Sequence, residues 1–186
     1  MMYTTLKQIE KCNPKPCSDG WEKLLKYLRK TESDDKRLYF KTILKSNGIK
    51  DAVWALRTLS YDDQCLFLAD VAGSVLHIFE KQFRDDRRPS EAIQAIRDFK
   101  AKKINKGELS TAFTAAFTAA FTSYAHSAAY AAYAAYSAAY AAYSASDAAY
   151  YASIVGSYAA RASDTYSKKW EEIEQLFIKH FCESKS

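Results

Sequence analysis

Glycine and proline are scarce in this 186-residue chain, at five and three copies. Sandwiches and barrels need many turns, and turns consume those two residues, so an all-β fold is excluded. No apolar run approaches the roughly 18 residues of a membrane span. The opening stretch MMYTTLKQIEKCNPKPC lacks the apolar centre of a signal peptide, so a cytoplasmic chain that does not enter a membrane is expected. The four cysteines show no metal-binding rhythm. Cys12 and Cys17 are separated by Asn-Pro-Lys-Pro, while Cys65 and Cys182 stand alone, and structural zinc sites use closer pairs. Cys65, inside CLFLADV, reads as a small buried hydrophobe. His77, His126 and His180 fall far apart, and His77 is expected to be a partly buried packing residue. Phosphate-binding loops, dinucleotide fingerprints, zinc-protease motifs and nucleophile elbows are all missing. The chain therefore offers no catalytic residue, metal site or cofactor site, and a non-enzymatic protein is expected.

What is present is helical. With 48% hydrophobic and 26% charged residues the chain can bury a core. We expect a single all-α domain over residues 1–186, with conventional helices to residue 107 and an Ala/Tyr-rich helical tract with a closing helix from 108. Trp21–Leu28 repeats apolar residues at helical spacing behind Asp19 as N-cap. A second helix opens at Asp34 and Asp35, turns Leu38, Ile43 and Leu44 inward, and stops at Asn47-Gly48. Asp51–Leu59 forms a third, whose Trp54 is expected in the core among Val53, Ala55 and Leu56. Ser60 caps a fourth running from about Asp62 to Phe83. Pro89, tolerated in a first turn, begins a fifth that reaches about Lys103.

Composition changes abruptly after Gly107. From Glu108 to Tyr166, 23 of 59 residues are alanine and 13 are Phe or Tyr, so helix is assured. Phe113, Phe117, Phe121 and Tyr124 step by four, four and three. Tyr133, Tyr136, Tyr140, Tyr143 and Tyr150 follow a heptad-like seam. One helix of that length would span about 88 Å, so breaks are expected at Ser123–Ser127 and Ser144–Asp147, where cap-forming residues cluster. Alanine allows close helix approach and the aromatics add buried area, so Phe113, Phe117, Phe121, Tyr133, Tyr136, Tyr140 and Tyr143 are expected to be mostly buried. The functional alternative is a Tyr-lined groove, built from those four tyrosines with Arg161, that accepts a planar nucleotide.

The net charge of +5 is uneven. The tract holds one basic residue, Arg161, against Glu108, Asp147 and Asp164, leaving 26 basic against 19 acidic elsewhere. That excess suits an acidic protein or a nucleic acid, although aromatics at core spacing do not interleave with exposed Lys and Arg as nucleic-acid binders require. The densest two-signed cluster is Arg84, Asp85, Asp86, Arg87, Arg88 and Glu91. It reads either as a capped helix start, with Arg97 closing an ion pair back to it, or as a partner-recognition loop.

Three segments in order carry a resemblance: ILKSNGIKDAVWALRTL, then FEKQFRDDRRPSEAIQAIRDF, then the Ala-rich tract with a Trp-led closing helix. Over roughly Asp34 to Phe181 the chain resembles the Ala-rich putative immunity protein family of bacteria and phages. Carried across, the resemblance highlights Asn47, Gly48, Asp51, Ala52, Trp54 and Arg57, then Asp85, Asp86, Arg88, Pro89, Ala92, Ile93 and Arg97. It implies an immunity-type inhibitor that neutralises a toxin by stoichiometric binding or, if phage-encoded, serves anti-defence by binding a defence effector. Sequestration of a nucleotide signal and nucleic-acid binding are the two alternatives, and a homo-oligomer is compatible with each.

Overall fold

Alanine sets how closely these helices pack. The computed structural model describes residues 1–144 and 148–183 and is all-α. Its helices are α1 (Leu6–Glu10), α2 (Ser18–Leu28), α3 (Phe40–Asn47), α4 (Ile49–Ala55), α5 (Tyr61–Gly73), α6 (Leu76–Gln82), α7 (Arg88–Lys100), α8 (Lys106–Thr122), α9 (His126–Tyr143), α10 (Ala148–Ala162) and α11 (Tyr166–Phe177). A 3-10 turn, Leu56–Thr58, continues α4, and a π turn, Ile178–Cys182, continues α11. Two-residue strands β1 (Tyr3–Thr4) and β2 (Leu38–Tyr39) pair antiparallel, Tyr3 against Tyr39. No described helix is long and apolar enough to cross a membrane.

Several boundaries differ from the sequence reading for physical reasons. Asp34 and Asp35 do not open a helix, because Lys30 and Lys7 claim their carboxylates, each at 2.6 Å, and Leu38 then joins β2. Cys17, not Asp19, occupies the N-cap of α2, and Asp19 lies in its first turn. The expected helix from Asp62 to Phe83 is interrupted after Gly73, where Ser74 turns its hydroxyl back to the Val71 carbonyl at 2.7 Å. His77, on α6, is exposed rather than packed. The turn at Gly48 behaves as read: its φ of +90° suits only glycine, and its N–H donates to Leu44. Asn105 and Glu108 close a capping box at the start of α8.

The Ala-rich tract breaks between Thr122 and His126, within the expected window. The second window, Ser144–Asp147, lies outside the described residues apart from Ser144, at which α9 has ended. Helix α9 is the pillar of the array, packing against α5, α6, α7, α8 and α10. Its buried residues are Ala128, Ala131, Ala132, Ala134, Ala135, Ser137, Ala138, Ala139, Ala141 and Ala142, with no side chain larger than serine. Small side chains let five neighbours approach one backbone.

The aromatics flank this alanine spine instead of filling it. On α8 the buried residues Leu109, Ala116, Ala119 and Ala120 define the inward face. Phe113, Phe117 and Phe121 recur every four residues, so each turns about 40° further from that face. Exposure follows the drift: Phe113 is half-buried, Phe117 is 42% exposed and Phe121 is 75% exposed. The expectation that all seven named rings are mostly buried therefore fails for Phe117 and Phe121. Tyr133, Tyr136, Tyr140 and Tyr143 are half-buried. Thr111, Thr114, Thr118 and Thr122 occupy the outer side of α8 and return their hydroxyls to carbonyls four residues back, at 2.8–3.2 Å.

The C-terminal segment closes the core with large rings. Phe177 and Phe181 meet Phe40 of α3 and Phe67 of α5 at centroid distances of 5.2–6.1 Å, and all four are at most 1% exposed. Gly156, within α10, is where Trp170 of α11 lands: a Cβ there would stand 3.0 Å from the indole. Lys169 is buried to 4% exposure, pairs with Glu172 and reaches the Ser74 carbonyl at 3.4 Å. Cys65 is fully buried, as its apolar context suggested.

Candidate functional site

The turn between α6 and α7 divides its charges between two duties. Asp86 is structural. Its Oδ1 accepts from the Arg88 backbone N–H at 3.2 Å and from Nε at 2.8 Å, and its Oδ2 accepts from Nη2 at 2.6 Å. The hydrogen bond from the Arg88 guanidinium holds the Asp86 carboxyl below the usual carboxylate range. The pair closes the start of α7 just before Pro89, which is buried. Arg84, Asp85, Arg87 and Glu91 are exposed, and none of their side chains forms an ion pair among the described residues.

Arg97 does not close back onto this turn. Its Nη2 donates to Asp70 Oδ1 at 2.6 Å, while His180 Nε2 lies 3.0 Å from Asp70 Oδ2. Asp70 on α5 thereby ties α7 to the C-terminal turn. The hydrogen bond from His180, followed by the charge of Arg97, keeps its carboxyl below the ordinary value. Arg97 thus serves the scaffold, and the free charges of the turn lie upstream of it.

Beside the turn begins an aromatic strip, Phe83 and Tyr124, that continues in sequence to Phe121 and Phe117, the two rings sequence reading assigned to the core. Phe83, the residue before Arg84, packs at a tilt on buried Phe79 at 5.0 Å and meets Tyr124 edge-on at 5.3 Å. Tyr124, in the α8–α9 connection, is 79% exposed. Phe121 is exposed nearby in sequence and stacks with Phe117 at 6.4 Å. Phe117, Phe121 and Tyr124 are thus exposed along one stretch of chain, and Tyr124 reaches the charged turn through Phe83. The signal for it was legible in part, since the four-residue step carries a side chain off any helix face.

The tyrosines of the suggested groove lie on α9 and contact one another and their neighbours. Phe113 meets Tyr136, Tyr140 and Tyr143 at 5.2–6.0 Å; Tyr133 stacks with Tyr158 at 5.4 Å; Tyr140 meets Tyr151 at 4.7 Å. Burial raises the Tyr136 hydroxyl above its ordinary pKa. Arg161 lies over Tyr130 at 5.8 Å, and Lys106 over Tyr143 at 4.4 Å. The array thus carries a cation at each of these two rings, and Arg161 reaches Tyr130, not the four tyrosines named with it.

The motif residues nearer the N-terminus occupy a corner between α2, α3 and α4. Asn47 Nδ2 donates to the Gly20 carbonyl and to Asp51 Oδ2, each at 2.8 Å. Trp54 is half-buried, not enclosed, and Arg57 stands over its indole at 5.2 Å. Ala52, Ala92 and Ile93 are core.

No curated protein and no solved structure matches the chain. A family model does, over residues 56–178, which takes in the charged turn, the aromatic strip and the alanine spine but only the end of the first motif. The match covers about two thirds of the sequence, so the chain belongs to the Imm-5 like putative immunity protein family.

Proposed function

We propose that this immunity-type protein neutralises a protein toxin or defence effector by occupying it, one protomer per target site. The contact surface combines Arg84, Asp85 and Arg87 with Phe117, Phe121 and Tyr124. The observation that carries this reading is the 79% exposure of Tyr124, which meets Phe83 beside a turn with free charges of both signs, with Phe121, three residues earlier, 75% exposed. Exposed aromatic anchors ringed by charge are what a protein interface uses: rings supply buried area, and charges steer the encounter. The tyrosine array supports a planar ligand less well, because its rings already spend their faces and edges on each other.

The test is affinity capture with the native chain, a charge-reversed Arg84→Glu/Asp85→Lys/Arg87→Glu variant, and a Phe121→Ala/Tyr124→Ala variant. A target retained by the native chain and lost by both variants supports the surface. Titration should then reach full inhibition near one protomer per target site. Asp86→Ala is the control: it should cost about 0.5–1.5 kcal/mol of stability through the lost hydrogen bonds to Arg88, yet bind once folded. Inhibition far below stoichiometric amounts, or full binding by both surface variants, would overturn the reading.

A further inference from the structure

A cavity of about 230 Å³ opens between α2, α3 and α4, and all its lining residues precede Leu56, outside the family match. Trp21, Trp54, Leu24 and Ile43 give it apolar walls. One edge is polar and tightly organised. Asn47 spends both amide hydrogens, on Gly20 and on Asp51 Oδ2, and its Oδ1 accepts from Ser46 at 2.7 Å. Gly20 permits this approach, because a Cβ there would stand 2.9 Å from Asp51 Oδ2. Asp51 is therefore held in one orientation by Asn47, and its Oδ1 has no partner among the described residues. The other charged lining residue, Lys15, is exposed at the rim.

We infer that this cavity is a binding site for a small apolar molecule carrying one protonated primary amine. A cavity of this volume holds a body of aromatic-ring size. Its walls reward burial of an apolar body, and indole is the most favourable aromatic neighbour for a cation. The free carboxylate oxygen accepts from an ammonium in a charge-assisted hydrogen bond. Asn47 offers no unspent hydrogen, so the site has no comparable donor on its fixed edge for a carboxylate ligand. Arg57, which braces the Trp54 indole, is not among the lining residues and leaves the cavity's charge to Asp51 and Lys15.

The test titrates 2-phenylethylamine into the full chain and follows tryptophan fluorescence, since two of the three tryptophans line the cavity. Saturable binding is expected, with 2-phenylethanol and 3-phenylpropionate at least roughly tenfold weaker because each lacks the charged donor. Asp51→Asn should weaken the amine by a similar factor while leaving its preference over the alcohol largely abolished. If that variant does not fold, the three-ligand comparison on the native chain still decides. No saturable response to the amine, or equal binding of the amine and the carboxylate, overturns the inference.

Discussion

Enlarging a buried alanine of α9 should harm this protein more than deleting an exposed phenylalanine of α8. Ala138 has no solvent exposure and lies on a helix packed against five others. Leucine there adds three carbons where neighbouring backbones leave no room, and overpacking of this kind costs about 1–3 kcal/mol. For a chain of this size each kcal/mol lowers Tm by about 2–4 °C, so Ala138→Leu should lose about 2–12 °C. Phe121, by contrast, is 75% exposed. Full burial of such a ring is worth about 1.5–3 kcal/mol, so the quarter removed from water contributes about 0.5 kcal/mol. Alanine's higher helix propensity returns a similar amount, so Phe121→Ala should be within about 0.5 kcal/mol of neutral. Thermal melts followed by far-ultraviolet circular dichroism measure both. A neutral Ala138→Leu, or a Phe121→Ala that loses more than about 2 kcal/mol, would refute the alanine-spine account.

Ser137 breaks the spine chemically: its hydroxyl is buried and without a partner among the described residues. Ser137→Ala should therefore stabilise the protein by about 1 kcal/mol, read as a higher urea midpoint with an unchanged slope. The acid limb should depend on Asp70 and Asp86, whose carboxyls are both held below the ordinary value. A depressed folded-state pKa stabilises fully above the unfolded value of about 3.9, and that stability is lost as pH falls through the folded value. Asp70→Asn should accordingly reduce Tm at neutral pH and narrow the gap to the native chain below about pH 4; an undiminished gap in acid would show that the ion pairs contribute nothing.

Local rules explain why much of the fold was legible. Gly48 and Pro89 act through their own backbone constraints, and alanine repeats form helix wherever they sit. The failures arise where another side chain competes for a local signal. Asp34 and Asp35 look like a helix start, but Lys30, four residues back, and Lys7, far off in sequence, capture them, and the helix-start pattern reports neither. The interruption after Gly73 similarly depends on a short cap, the Ser74 hydroxyl, inside an otherwise continuous apolar pattern.

The candidate surface was half legible for a related reason. Charge density singled out Arg84 to Glu91, and the structure then separates the paired Asp86 and Arg88 from the unpaired Arg84, Asp85, Arg87 and Glu91. Phe117 and Phe121 were assigned to the core because aromatic stripes usually are core. Helical geometry argues otherwise: a side chain repeating every four residues cannot stay on a face that repeats every 3.6. The first ring, Phe113, keeps contact with Tyr136, Tyr140 and Tyr143, and the last, Phe121, has rotated into solvent. A spine of alanine makes this possible. Because close backbone approach supplies the packing, the rings are released from the core. Those that drift outward are the ones we propose a partner buries.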